Sequence, residues 1–198
     1  MISVGLTGGI GSGKSIVSQM FEILNIPVYN SDFEAKKIMQ TNSEVKEEII
    51  KLIGTNAYKK NVLNKKYIAS VIFSNNELKT KVNNIVHKSV IQHYNLWKKN
   101  QINTKFVLIE SAILFETKIA LKNKFNILVV SPKELKYKRL IERGLSYKDI
   151  EHRVSSQFTD EQKIKLADFV IINNEKKFVS KQVFSIFKKI NHLIEKNQ

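Results

Sequence analysis

Short apolar runs alternate with amphipathic stretches along the chain. Ile2-Ser3-Val4-Gly5-Leu6-Thr7 reads as a buried strand, and similar runs return at Phe106–Glu110, Phe125–Val130 and Phe169–Ile172. Asn25 to Asn30 reads as a turn and a second short strand. It ends at Ser31-Asp32, a suitable N-cap for a following helix. Ile16, Val17, Met20, Phe21 and Leu24 share one helical face. From Ser31 to about Trp97 the pattern is helical and largely strand-free. Within it Ser74-Asn75-Asn76-Glu77 spells a capping box before a long helix that packs through Leu78, Val82, Ile85, Val86, Val90 and Trp97. Ser131-Pro132-Lys133-Glu134, Ser146-Tyr147-Lys148-Asp149 and Thr159-Asp160-Glu161-Gln162 mark three further helix starts, with proline expected at the first helical position of the first. Gly144 is a good helix stop. A last helix carries Val179, Val183, Ile186, Phe187, Ile190 and Ile194 on one stripe. Strands alternating with helices predict an α/β fold: a parallel sheet of about five strands covered on both faces.

Composition narrows the chemistry. At 198 residues and 42% hydrophobic, the chain can bury a sizeable core. Lys and Arg exceed Asp and Glu by 33 to 18, a net charge of +15 that favours anionic partners. The lysine pairs are dispersed, with no basic stripe interleaved with aromatics, so no nucleic-acid partner is expected. The absence of cysteine excludes disulfides, thiolate zinc sites and cysteine nucleophiles. No apolar run approaches the ~20 residues that span a bilayer. The glycine-rich motif follows Met1 so closely that no leader peptide is expected. A cytoplasmic monomer without membrane attachment is the expectation.

One motif carries most of the functional information. Gly8-Gly9-Ile10-Gly11-Ser12-Gly13-Lys14-Ser15 fits the G-x-x-x-x-G-K-[ST] phosphate loop, with a strand before it and an amphipathic helix after it. Glycines let successive backbone N–H groups turn inward around a polyanion, and the helix adds its positive end. Lys14 supplies an ammonium for the β- and γ-phosphates, and the Ser15 hydroxyl can ligate Mg²⁺. Gly9, Gly11, Ser12, Gly13 and Ile16 complete the expected ATP contacts. The guanine-reading N-K-x-D and the switch D-x-x-G of GTPases are missing from the chain.

Across nearly its whole length the sequence resembles the dephospho-CoA kinases, within the nucleoside-monophosphate-kinase-like group. The resemblance rests on an ordered set of motifs: the opening Val4–Ser15; Asn30-Ser31-Asp32 for D-A-D; Ile85-Val86-His87-Lys88 for I-x-H-P; Glu110–Glu116 for D-x-P-L-L-F-E; Lys136–Arg143 for Q-x-x-R-L-x-x-R; Arg153 to Gln157 for R-x-x-x-Q; and Ala167-Asp168 to Asn173 for A-D-x-x-I-x-N. Departures are Ile16 for Thr, Asn30 for Asp, Lys88 and Ala112 for proline, and Lys136 for Gln.

The resemblance implies a three-layer αβα P-loop kinase. Its core would be residues 1–31, 104–135 and 158–198, with a helical CoA-binding lobe at about 32–103 and a lid at about 136–157. It implies transfer of the ATP γ-phosphate to the 3′-hydroxyl of dephospho-CoA, with Mg²⁺ as cofactor. Asp32 is then the general base and a water-mediated metal contact; as a bare sequence feature it is equally an N-cap. Arg139 and Arg143, one turn apart, would face ATP from the lid, with Arg153 as a further lid candidate. Glu110 would act at a strand end toward metal, water or acceptor. His87 would meet the acceptor or sit packed as a structural residue. Asn173 would edge the adenine pocket, and Phe33 could line the pantetheine groove. Alternatives are a P-loop kinase for another small molecule or nucleotide, and a basic ATP-binding protein that holds nucleic acid.

Overall fold

The computed structural model describes residues 1–73, 75–117 and 119–196. In chain order the elements are β1 (Ile2–Thr7), α1 (Lys14–Ile23), β2 (Val28–Asn30), α2 (Ser31–Thr41), α3 (Ser43–Ile53), β3 (Tyr58–Lys59), β4 (Val62–Leu63), α4 (Lys65–Phe73) and α5 (Asn76–Lys99). There follow β5 (Phe106–Glu110), β6 (Phe125–Val130), α6 (Lys133–Glu142), α7 (Tyr147–Ser155), α8 (Asp160–Ile164), β7 (Phe169–Ile172) and α9 (Val179–Glu195). Packing divides the chain into two units: Met1–Asn30 with Gln101–Gln198, and Ser31–Asn100.

The first unit is built on a five-stranded parallel sheet in the order β2-β5-β1-β6-β7. Its register pairs Val4 with Leu108 on one side and with Phe125 on the other. Side chains two apart on a strand share a face. Val4 and Leu6, Phe106 and Leu108, Ile127 and Val129 therefore form one apolar layer with Ile171. Val17 and Phe21 of α1 and Val183, Ile186, Ile190 and Ile194 of α9 close it. Phe21, Phe106, Leu6, Leu108 and Ile127 are wholly buried, and removing such a side chain costs about 3–5 kcal/mol for Phe→Ala. On the opposite face Gly5 leaves room for the loop after β5, since a methyl group there would stand 2.5 Å from the Leu114 side chain. That loop is anchored by Lys163, wholly buried, whose ammonium pairs with Glu116 at 3.0 Å and donates to the Ala112 carbonyl at 2.8 Å.

The second unit is helical, with Val82, Val86, Val90 and Tyr94 forming the buried stripe of α5 and Val45, Ile49 and Ile53 that of α3. Trp97 stacks on Tyr94 with centroids 6.0 Å apart. A two-residue hairpin, β3 against β4, interrupts the expected run of helices.

Several local expectations are corrected. Ile16 is 48% exposed, because α1 turns Lys14, Val17, Ser18 and Phe21 inward instead. Ser31 and Asp32 belong to the first turn of α2 rather than capping it, since the helix begins directly where β2 ends. Pro132 flanks α6 as its cap and not as its first residue, and Ser131 makes no cap bond because its hydroxyl is engaged by Arg139. Of the Ser74–Glu77 capping box, Ser74 lies outside the described residues; the side chain of Asn75 accepts from the Leu78 N–H. The Ser146 cap and the reciprocal Thr159–Gln162 box match their sequence signals. Gly144, at φ 83°, ends α6 with its N–H on the Ile141 carbonyl and that of Leu145 on Leu140.

Candidate active site

The loop from Gly8 to Gly13 leaves the carboxyl end of β1, and α1 starts at Lys14. This is where ligands meet open parallel sheets. Gly13 caps α1 in the left-handed region at φ 98°, ψ 23°, a conformation that costs other residues about 1–2 kcal/mol. The Lys14 ammonium bends back over the loop and donates to the carbonyls of Gly8 (2.8 Å) and Gly9 (3.4 Å). It is 9% exposed, a placement a lysine adopts only with partners. Ser12 is wholly buried, and its N–H donates to the Gly9 carbonyl at 3.1 Å. Ser15, one residue into α1, is exposed.

Side chains from distant segments fix this loop. Asn173, just beyond β7, donates from Nδ2 to the Ser12 carbonyl at 2.9 Å. Arg139 of α6 donates to the Gly11 carbonyl (3.3 Å), the Ser131 hydroxyl (3.1 Å), Asn173 Oδ1 (3.5 Å) and Glu175 Oε1 (3.1 Å). The Ile10 N–H donates to Gln157 Oε1 at 3.1 Å. Lys136 forms a 2.7 Å ion pair with Asp160 beside Gly9. The α6–α7 arm is rigidified by its own small core of Tyr137, Leu140 and Ile150. The Tyr137 hydroxyl donates to Glu151, which pushes its pKa up to about 12 and keeps the donor protonated.

Glu110 ends β5 and is 5% exposed. Its Oε2 accepts from the Ser18 hydroxyl at 2.7 Å and from Asn30 Nδ2 at 3.3 Å. Asn30 stands where the motif has aspartate, and its amide is the donor in this contact.

The structure thus brings Lys14, Ser12, Gly9, Gly11, Gly13, Arg139 and Asn173 into one bonded network. Arg143 is not drawn into it; it is the exposed C-cap of α6. Arg153 is exposed on α7. Asp32 and Phe33 are exposed in the first turn of α2, within the helical unit. His87 lies half-buried in α5, where burial pushes its pKa below the ordinary value and favours the neutral ring. Sequence reasoning assigned no site role to Ser18 or Glu175, read Ser131 and Asp160 only as parts of helix-start signals, and named Gln157 only as the end of a motif. Gln157 carried a signal through that motif, and Lys136 through its place three residues before Arg139, on the same helix face.

Hard oxygen donors are present for a divalent metal: the Ser15 hydroxyl and the Glu110 carboxylate. Among the described residues no group of three or more His, Cys, Asp or Glu could hold a metal by itself. A magnesium ion needs no such cage, because it keeps waters and shares substrate phosphates. Among the described residues no helix is long and apolar enough to cross a membrane.

The sequence model of the family described as dephospho-CoA kinase matches residues 2–178. A Bacteroides fragilis protein named dephospho-CoA kinase is 36% identical over 197 residues, covering 97% of this chain and 96% of its own. The crystal structure of a Thermus thermophilus protein superposes with a TM-score of 0.84 at 26% identity, covering 95% and 96% of the two chains. A Campylobacter jejuni dephospho-CoA kinase superposes with a TM-score of 0.66 at 26% identity, covering 99% and 98%.

Proposed function

The chain belongs to the dephospho-CoA kinase family, and on that premise we propose how its residues carry the ATP γ-phosphoryl group to the 3′-hydroxyl of dephospho-CoA. The products are coenzyme A and ADP. The observation that carries the reading is the loop Gly8–Ser15, with the Lys14 ammonium folded over its first residues and its carbonyls gripped by Asn173 and Arg139. Preorganised donors of this kind stabilise charge that develops on the transferred group without rearranging at the moment of reaction.

Backbone N–H groups of Gly11, Gly13, Lys14 and Ser15 bind the triphosphate, those of Ile10 and Ser12 being held by Gln157 and Gly9, and Lys14 neutralises its outer phosphates. Arg139 brings a planar fork to the γ-phosphoryl oxygens, where charge spreads in the transition state. Arg143 extends the cationic face of the 136–157 lid, and Asn173 keeps the loop in register beside the nucleotide. Asp32, two residues past the strand that supplies Asn30, accepts the proton of the acceptor hydroxyl. The helical lobe at about 32–103, His87 included, takes the acceptor.

Magnesium would be held by Ser15, with Glu110 and Asp32 acting through water. Its chemistry there would be to offset negative charge on the phosphates. Glu110 is suited to orient water, since Ser18 and Asn30 fix one oxygen of its carboxylate.

Asp32→Asn tests the assignment of the base. ATP affinity should stay near wild type while turnover with dephospho-CoA falls about 10²–10⁴-fold, the range of general-base catalysis. Turnover within a few-fold of wild type would remove Asp32 from the mechanism.

A further inference from the structure

Gly9 is flanked by a charge pair that the P-loop pattern does not require. Lys136 Nζ lies 2.7 Å from Asp160 Oδ2, and the two side chains are only 18% and 20% exposed. A methyl group built on Gly9 would stand 3.5 Å from both Lys136 Nζ and Asp160 Oδ1. The pair therefore packs directly on the outer edge of the phosphate loop. Lys136 and Arg139, three residues apart, leave α6 on the same side. Each meets the loop and each carries an acidic partner, Asp160 for Lys136 and Glu175 for Arg139. An ammonium at the rim of a polyphosphate cradle meets stronger attraction from the incoming charge than from one carboxylate.

We propose that Lys136 is an additional phosphate-binding cation of this active site, and that Asp160 is its positioning residue. Asp160 holds the ammonium over Gly9 and neutralises it in the absence of nucleotide. When a triphosphate enters the loop, Lys136 exchanges the Asp160 oxygen for a phosphate oxygen. The proposal rests on the reading of Gly8–Ser15 as the triphosphate site.

The test exploits the opposite signs of the two charges. Lys136→Gln, Lys136→Arg, Asp160→Asn and the double variant Lys136→Gln/Asp160→Asn are compared for ATP dissociation constant, kcat and melting temperature, with Lys14→Ala as control. Lys136→Gln should weaken ATP binding about tenfold, one charge-assisted contact's worth at 1.4 kcal/mol. Lys136→Arg should restore most of it. Asp160→Asn keeps an oxygen that can accept from Lys136 and removes only a charge that repels phosphate. It should tighten ATP binding a few-fold, and the double variant should follow Lys136→Gln. Equal weakening in Lys136→Gln and Asp160→Asn would identify a structural pair and overturn the proposal. So would unchanged ATP binding in Lys136→Gln. If Lys14→Ala also left ATP binding intact, the triphosphate reading itself would fail, which separates the two outcomes.

Discussion

Gly13 and Asn173 are 160 residues apart in sequence, yet each leaves the other no spare room. A methyl group on Gly13 would lie 2.2 Å from Asn173 Nδ2, well inside contact distance. That nitrogen donates to the carbonyl of the wholly buried Ser12. Gly13→Ala therefore does two things. It places a Cβ at φ 98°, costing about 1–2 kcal/mol. It also expels the Asn173 amide and leaves the Ser12 carbonyl without that donor, costing about 1–3 kcal/mol. The sum is about 2–5 kcal/mol. Asn173→Ala alone loses that hydrogen bond and the long 3.5 Å contact from Arg139, about 1–3 kcal/mol with most of it in the Ser12 bond. In the Asn173→Ala background the added methyl has open space, so Gly13→Ala should then cost only the backbone strain of about 1–2 kcal/mol. Urea unfolding of the four proteins without nucleotide, at constant m-value, measures the cycle. The double variant should be more stable than the sum of singles by about 1–3 kcal/mol, the size of the shared hydrogen bond. Additivity within about 0.5 kcal/mol would refute the clamp between these residues.

Arg139→Lys keeps the charge but cannot serve four acceptors from one planar group. It should lower kcat about a hundredfold in steady-state assays while ATP binding changes only a few-fold. Lys163→Met leaves Glu116 without its buried cation and should destabilise by about 3–5 kcal/mol in thermal or urea unfolding. Lys163→Met combined with Glu116→Leu should recover much of that loss. His87 has a folded pKa below its unfolded value, so the folded state binds fewer protons. Its contribution is complete above the unfolded value of about 6.5 and is lost as the pH falls through the lower folded value. Unfolding free energies of His87→Gln should therefore fall less than those of wild type between pH 7 and pH 5.

The sheet was legible because parallel strands buried on both faces write themselves as unbroken apolar runs. Phe106–Glu110 and Phe125–Val130 coincide with β5 and β6 for that reason, and Phe169–Ile172 coincides with β7 although that edge strand leaves Val170 exposed. The phosphate loop was legible because its glycines and Lys14-Ser15 are contiguous. What holds the loop was not, since Gln157, Arg139 and Asn173 reach Ile10, Gly11 and Ser12 across 147, 128 and 161 residues. Local rules also misassigned groups with two possible partners. Ser131 has the chemistry of an N-cap, but a guanidinium beside it offered a stronger bond. Ile16 continues an apolar pattern in sequence, while the structure gives its inward place to Ser18, which serves Glu110.

The most direct trial of the account is product analysis with purified protein, ATP and magnesium. ADP should appear only when dephospho-CoA is added, in equal amount with a product one phosphate heavier whose new ester lies on the ribose 3′-oxygen. Release of ADP at the same rate without dephospho-CoA, or with CMP, dTMP or shikimate in its place, would contradict it.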